Sequence, residues 1–183
     1  MKQLTLFQEL VEQTSEPTPL IATEKDIKEI GELHYWKLYI DGASRNNPGP
    51  SGAGIYILKD DVPVEQSGFF LGTKTNNQAE YLALLLGLLV IKEKLGSNDM
   101  LLIISDSQLL VRQIEGRYKV KNPGIKQLHD IARILLHGIS YDVAHVLRHE
   151  NTQADALANL GVDKKKKIPQ KFLTVLEHHG FLL

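Results

Sequence analysis

The sequence contains no cysteine, which removes disulfide bonds and thiolate metal ligation together. Any metal must therefore be held by oxygen or imidazole, and a reducing compartment, most simply the cytoplasm, is the expected location. A membrane-crossing run is missing as well. The longest apolar stretch, YLALLLGLLVI at 81–91, falls well short of the roughly 20 residues that a spanning helix needs, and the N-terminus lacks a charged-then-apolar signal pattern. No membrane role is expected. The chain also has no excess of either charge: 21 basic and 22 acidic side chains leave a net charge of −1 and a pI near 6.7. The global balance thus neither advertises nor excludes a polyanionic partner, and nucleic-acid affinity must come from local patches. No internal repeat is visible.

What is present is the composition of a globular protein, 183 residues with 43% hydrophobic and 23% charged, enough for one domain with tails. Residues 1–34 are expected to form an N-terminal extension, because EQTSEPTPLIATEKDIKEIGE is polar, acidic and carries two prolines, the composition of a tether. From Tyr35 onward, WKLYIDG, GAGIYILKDD and VEQSGFFLG predict three strands, split by the turn-rich ASRNNPGPS and by a tight Asp60-Asp61 turn. Short links favour an antiparallel meander. Helical spacing at 77–95, an apolar strand at 100–105, helices near 107–115 and 124–137, a strand at YDVAHVL and a helix from Thr152 to Leu160 follow. The predicted order is βββαβααβα, an α/β domain over 35–162, with 163–183 as a C-terminal extension able to dock one more helix. The lysine run at 164–167 is the ordinary pattern of a solvated surface.

Four carboxylates stand out by position. Asp41 closes the apolar run WKLYID, Glu80 opens a long apolar helix, Asp106 ends the most apolar strand, MLLIISD, and Asp155 opens a short late helix. Acids at element ends can converge, and clustered acids repel one another unless cations neutralise them. Two magnesium ions about 3.5–4 Å apart can serve both the attacking and the leaving oxygen of a phosphodiester, and magnesium takes hard oxygen ligands. The pattern therefore points to a metal-dependent nuclease. Taken singly, each acid is an ordinary surface group, and Asn76 an ordinary helix cap.

The segments DG-x-x-x-x-NPGP-x-G-x-G at Asp41, TNN-x-x-E at 75–80, SDS-x at 105–108 and N-x-x-AD-x-LA at 151–158 together resemble the type 1 ribonuclease H family, in the family's order. The resemblance covers about residues 35–162 and implies a ribonuclease H-like fold: a mixed five-stranded sheet, strands one to three antiparallel, flanked by helices. It implies that Asp41, Glu80, Asp106 and Asp155 are the catalytic, metal-binding carboxylates of an endonuclease. The enzyme would use two Mg2+ ions, replaceable by Mn2+, to cut the RNA strand of RNA–DNA hybrids, leaving 5′-phosphates. Removal of primers and R-loop RNA during DNA replication is the implied role. Asn47, Asn76 and Gln108 match substrate-contacting positions, and Asn122 in KVKNPG matches a contact to the DNA strand. Reading 2′-hydroxyls across a shallow minor groove is the physical basis of such selectivity.

Two departures accompany the resemblance. GRYKVKNPGIKQL leaves too little room for the basic helical handle of many bacterial members, so hybrid affinity is expected to be lower and more salt-sensitive unless a tail compensates. Before Asp155, VLRHENTQAD is short, and Arg148, ahead of His149, stands where an auxiliary residue assists turnover. At the other end, Gln3, Leu4, Leu6 and Phe7 in QLTLF resemble the peptide by which bacterial replication proteins dock on the sliding clamp, a mode in which apolar anchors on a tether fill a pocket. The competing functions are a binding module for hybrid or double-stranded RNA without turnover, or a nuclease of the same fold acting on other RNA. An altered acid would mark the first of these, and none of the four is altered.

Overall fold

Alternation of apolar and polar residues from Tyr35 builds β1 (Tyr35–Ser44), which sends Trp36, Leu38 and Ile40 to the core. The computed structural model describes residues 32–182, and from Leu33 onward they form one unit. β1 pairs antiparallel with β2 (Gly49–Lys59), which pairs antiparallel with β3 (Val62–Lys74). The Asp60-Asp61 turn has positive φ at both residues, 49° and 64°, the twist that suits a two-residue hairpin. β4 (Met100–Ser105) and β5 (Ser140–His145) run parallel to β1, giving the order β3-β2-β1-β4-β5.

Parallel neighbours need crossovers, and helices α1 (Asn76–Lys92), α2 (Gln108–Ile114) and α3 (Pro123–Leu136) supply them. The apolar run 81–91 lies within α1, where every residue from Ala79 to Ile91 is buried. A helix apolar all round must be covered all round, and α1 is the central helix of the core. No helix among the described residues is long and apolar enough to cross a membrane.

A one-turn helix at Arg148–Glu150 leads into α4 (Thr152–Lys164), which packs on β1, β2 and β3. Its close approach needs glycine in the sheet: a Cβ at Gly54 would lie 2.0 Å from the carbonyl oxygen of Ala154. Beyond Lys164 the chain follows β3, where the Phe70 amide donates to the carbonyl of Lys166 at 2.8 Å. It then forms α5 (Gln170–His178), whose Phe172 and Leu176 join the core together with Phe181.

The order therefore matches βββαβααβα with one further helix at the end. Several boundaries differ from expectation. β2 and β3 begin earlier, at Gly49 and Val62, and β1 does not stop at Gly42, because Ala43 and Ser44 continue to pair with Gly52 and Ser51. α4 runs four residues past Leu160 to Lys164 and ends where Lys165 takes a left-handed conformation, φ 50°.

Candidate active site

β1 and β4 lie side by side and parallel, so their C-terminal ends deliver Asp41 and Asp106 to one edge of the sheet. Glu80 arrives from the first turns of α1. The approach depends on Gly42, where a Cβ would stand 2.1 Å from the Glu80 nitrogen and 2.3 Å from the Ala79 carbonyl carbon. Only a residue without a side chain lets the helix seat this close to the strand. One carboxylate oxygen from each of Asp41, Glu80 and Asp106 lies within 4.8 Å of the others.

The three sit in a hollow of about 350 Å³ whose walls include Ser44, Arg45, Asn76, Ser107, Arg148 and Asn159. Asp41 and Glu80 are buried and Asp106 half-buried. Burial pushes the Asp41 carboxyl up to about 7 from an ordinary 3.8, with the charges of Asp106 and Asp155 adding to it and Arg148 opposing. Glu80 is raised well above its ordinary range, first by burial and then by Asp41 and Asp106. Its Oε2 is buried without a hydrogen-bond partner. An orphaned oxygen on a carboxylate grouped with two further acids is what a bound cation would satisfy. The all-oxygen donor set suits a hard divalent ion.

Asp155 does not join this close triad. Its Oδ1 accepts from Arg148 at 2.7 Å and its Oδ2 from the Asn159 amide at 3.2 Å, at the rim of the hollow. Arg148 is thus paired with Asp155 and near enough to Asp41 and Glu80 to oppose the rise in their proton affinity. His149 instead lines a separate surface hollow with Leu147, Thr152 and Asp155, into which Arg148 also reaches.

The polar residues expected at the substrate are held in different ways. Asn47 accepts through Oδ1 from the Asn76 amide at 3.0 Å, locking the β1–β2 turn to the start of α1. Asn76 lines the hollow and is not the helix cap: Thr75 caps α1, in a reciprocal pair with Gln78. Gln108 is exposed at the first position of α2, outside the walls of the hollow. Asn122 caps α3, accepting from the Ile125 amide at 3.1 Å. Gln3, Leu4, Leu6 and Phe7 lie outside the described residues.

Asn151 has a part that sequence reasoning assigned to no residue. Fully buried, it donates from Nδ2 to the Ile40 carbonyl at 2.9 Å and to Asp106 Oδ1 at 3.3 Å. It joins β1 to the acid that follows β4. Its one sequence signal was its place as the first letter of N-x-x-AD.

A sheet in this order, carrying an acid triad across the ends of its central parallel pair, defines a ribonuclease H-like domain. The chain belongs to the ribonuclease H family, type 1: the family model described as reverse transcriptase-like matches residues 39–161. It is 38% identical over 156 residues to ribonuclease HI of Halobacterium salinarum, covering 84% of this chain and 75% of that one. A bifunctional protein of Mycobacterium tuberculosis is 40% identical over 128 residues, where the match spans 67% of this chain and 34% of the longer relative. Among solved structures, a type 1 ribonuclease H of compost origin, crystallised with an RNA/DNA hybrid, superposes with a TM-score of 0.67 at 33% identity over 70% of this chain and 97% of that one.

Proposed function

We propose that this protein is an endoribonuclease that hydrolyses the RNA strand of RNA–DNA hybrids, with Asp41, Glu80 and Asp106 holding two Mg2+ ions and Asp155 completing the set. The observation that carries the reading is the triad itself: three carboxylates within 4.8 Å, two of them buried with raised proton affinity, and one oxygen left without a partner. Divalent ions held there would supply the positive charge that makes the acids compatible and that stabilises the attacking and leaving oxygens of an in-line displacement. Manganese can replace magnesium in an all-oxygen site.

The chain's own groups do the rest. Asn151 fixes the Asp106 carboxylate. Asn47 and Asn76, tied together at the mouth, face a nucleic-acid strand with amide donors and acceptors suited to 2′-hydroxyls. Gln108 and Asn122, exposed at helix starts beyond the hollow, extend the contact surface, Asn122 toward the DNA strand. Arg148 brings a permanent cation to the rim, where charge develops on the phosphate and where product leaves. A cytoplasmic role in clearing primers and stray hybrids fits this activity, with residues 3–7 serving to dock on a sliding clamp.

The test is cleavage of a labelled RNA–DNA hybrid with Mg2+ and with chelator, beside RNA duplex and DNA duplex, by the wild type and by Asp106→Asn. Hybrid-selective cutting that needs metal and disappears in the variant is expected. Tight hybrid binding with no cutting under either metal would make the domain a binding module, and equal cutting of RNA duplex would assign it another RNA.

A further inference from the structure

The register of the sheet places the lysine run beside the acid hollow. Ala43, two residues beyond Asp41, pairs with Gly52, Gly52 pairs with Phe70, and the Phe70 amide binds the Lys166 carbonyl. Lys166 therefore stands level with the catalytic end of β1 and three strand spacings away, about 14 Å at roughly 4.8 Å each. Arg45 occupies the ground between. It lines the acid hollow, and its guanidinium reaches across to Asp163, the residue before the run.

Lys164, Lys165, Lys166 and Lys167 are all exposed, and among the described residues none of the four makes an ion pair. Among the other lysines, Lys37 pairs with Asp61, Lys126 with Asp130 and Lys171 with Glu93, while Lys94, Lys119 and Lys121 are exposed and make no ion pair among the described residues; the run differs in being four such cations in succession. Asp163, the residue before the run, is occupied by Arg45, and of the two glutamates that share a hollow with Lys166, Glu65 and Glu93, the second is paired with Lys171. Lys166 lies over the Phe69 ring, which anchors the segment, and Lys165 and Lys167 line a hollow beside Phe70 and Leu71. A strip of exposed cations level with an acid site repels itself and attracts an anionic partner.

We propose that Arg45 and the segment Lys164–Lys167 form a track for the sugar–phosphate backbone of the nucleic acid held at the acid site, standing in for the basic handle for which the link 116–122 has no room. This rests on the nuclease reading above. The 14 Å reach corresponds to about four consecutive phosphates of one strand at about 3.4 Å rise. Arg45 is the inner contact, its planar fork oriented by Asp163 so that the remaining donors face the strand. The lysines are the outer contacts and act as point charges without sequence preference.

The experiment measures KM and kcat for hybrid cleavage across a salt series, for the wild type, Arg45→Gln, Asp163→Asn and the triple variant Lys164→Gln/Lys165→Gln/Lys167→Gln, which keeps Lys166 on Phe69. Lys37→Gln, at the opposite end of the sheet, is the control. A uniform binding contribution raises KM with little change in kcat. Each lost phosphate contact flattens the plot of log affinity against log salt by about 0.9. Between roughly 50 and 200 mM salt the wild type should thus lose about fortyfold more affinity than the triple variant, and about threefold more than Arg45→Gln.

Asp163→Asn separates a phosphate contact from a structural staple. If Arg45 only fastens the turn to α4, the two single variants behave alike and neither changes the salt slope, which overturns its role. On the track reading, Asp163→Asn removes a negative charge beside the strand and leaves the slope unchanged or steeper. Unaltered slopes in the triple variant, with the wild type cutting normally, would overturn the track while sparing the nuclease reading. A wild type that neither binds nor cuts hybrid would overturn both.

Discussion

Replacing Asp41 by asparagine should stabilise the metal-free protein, and the pH dependence of that gain is the sharper part of the prediction. Burial and the neighbouring acids raise the Asp41 carboxyl from 3.8 to about 7, so between those values the folded state holds a proton that the unfolded chain releases. Stability then falls as pH rises through this window and levels off above the folded value. At roughly 1.4 kcal/mol per pH unit, ionising Asp41 costs the folded state about 4 kcal/mol once pH exceeds about 7. Asn keeps the shape and removes the charge. Its gap over the wild type should be near zero around pH 4 and reach its full size around pH 8, where about 4 kcal/mol corresponds to a shift on the order of 10 °C for a domain of this size. That figure is an upper bound, because Glu80 and Asp106 relax when one charge is removed. Thermal melts in chelator across the pH range measure it. Adding Mg2+ should close the gap from the other side, since an ion that binds only the folded wild type stabilises it by about 2.7 kcal/mol at a hundredfold excess over Kd. A gap that is flat with pH, or a variant that melts below the wild type at high pH, would refute the claim that Asp41 carries this burden.

Gly42→Ala should place a methyl 2.1 Å from the Glu80 nitrogen, forcing β1 and α1 apart. Urea unfolding should show a loss of about 3 kcal/mol or more, with cleavage falling further than stability because Glu80 leaves the triad. Asn151→Ala removes the donor to Ile40 and Asp106 and strands the buried Ile40 carbonyl at a cost of about 1–3 kcal/mol. Its kcat should drop while KM for hybrid stays near the wild-type value; a variant with unchanged kcat would show that Asp106 needs no such support.

Most of the sheet and its helices were legible because the elements carried their own period, while α1, apolar all round, was legible by the length of its run. Tyr35 to Ile40 alternates, the Asp60-Asp61 pair announces its turn, and the 124–137 segment shows one apolar face. Boundaries were less legible where pairing overrides composition. Nothing in Ala43-Ser44 marks a strand, yet two partners across β2 extend β1 through them. Caps were ambiguous for a related reason: Thr75 and Asn76 are both capping residues, and the Gln78 that reciprocates with Thr75 decided between them. The motifs led to the acids, but the division of labour among them is three-dimensional. That Asp155 lies against Arg148 and outside the close triad depends on where the short turn at Arg148–Glu150 aims its side chains. Arg45 and Asn151 were invisible as participants because their partners, Asp163 and Ile40, are 118 and 111 residues away in sequence.

The cation requirement expected of this site follows from the longest apolar run. YLALLLGLLVI is too short to span a bilayer and apolar on every side, so in a folded domain it must be surrounded, and the sheet and α3 surround it. Residue 80, immediately before that run, is drawn inside with it. A glutamate so placed, with Gly42 beneath it and Asp41 and Asp106 opposite, is costly to ionise unaided. A core built only for stability would put an apolar residue there. Keeping Asp41 and Glu80 buried, where burial first and neighbouring acids second raise their proton affinity, lowers the stability of the metal-free fold, and the same interactions would favour a bound cation. The destabilisation expected to vanish in Asp41→Asn is therefore the counterpart of the metal binding that the same substitution should abolish.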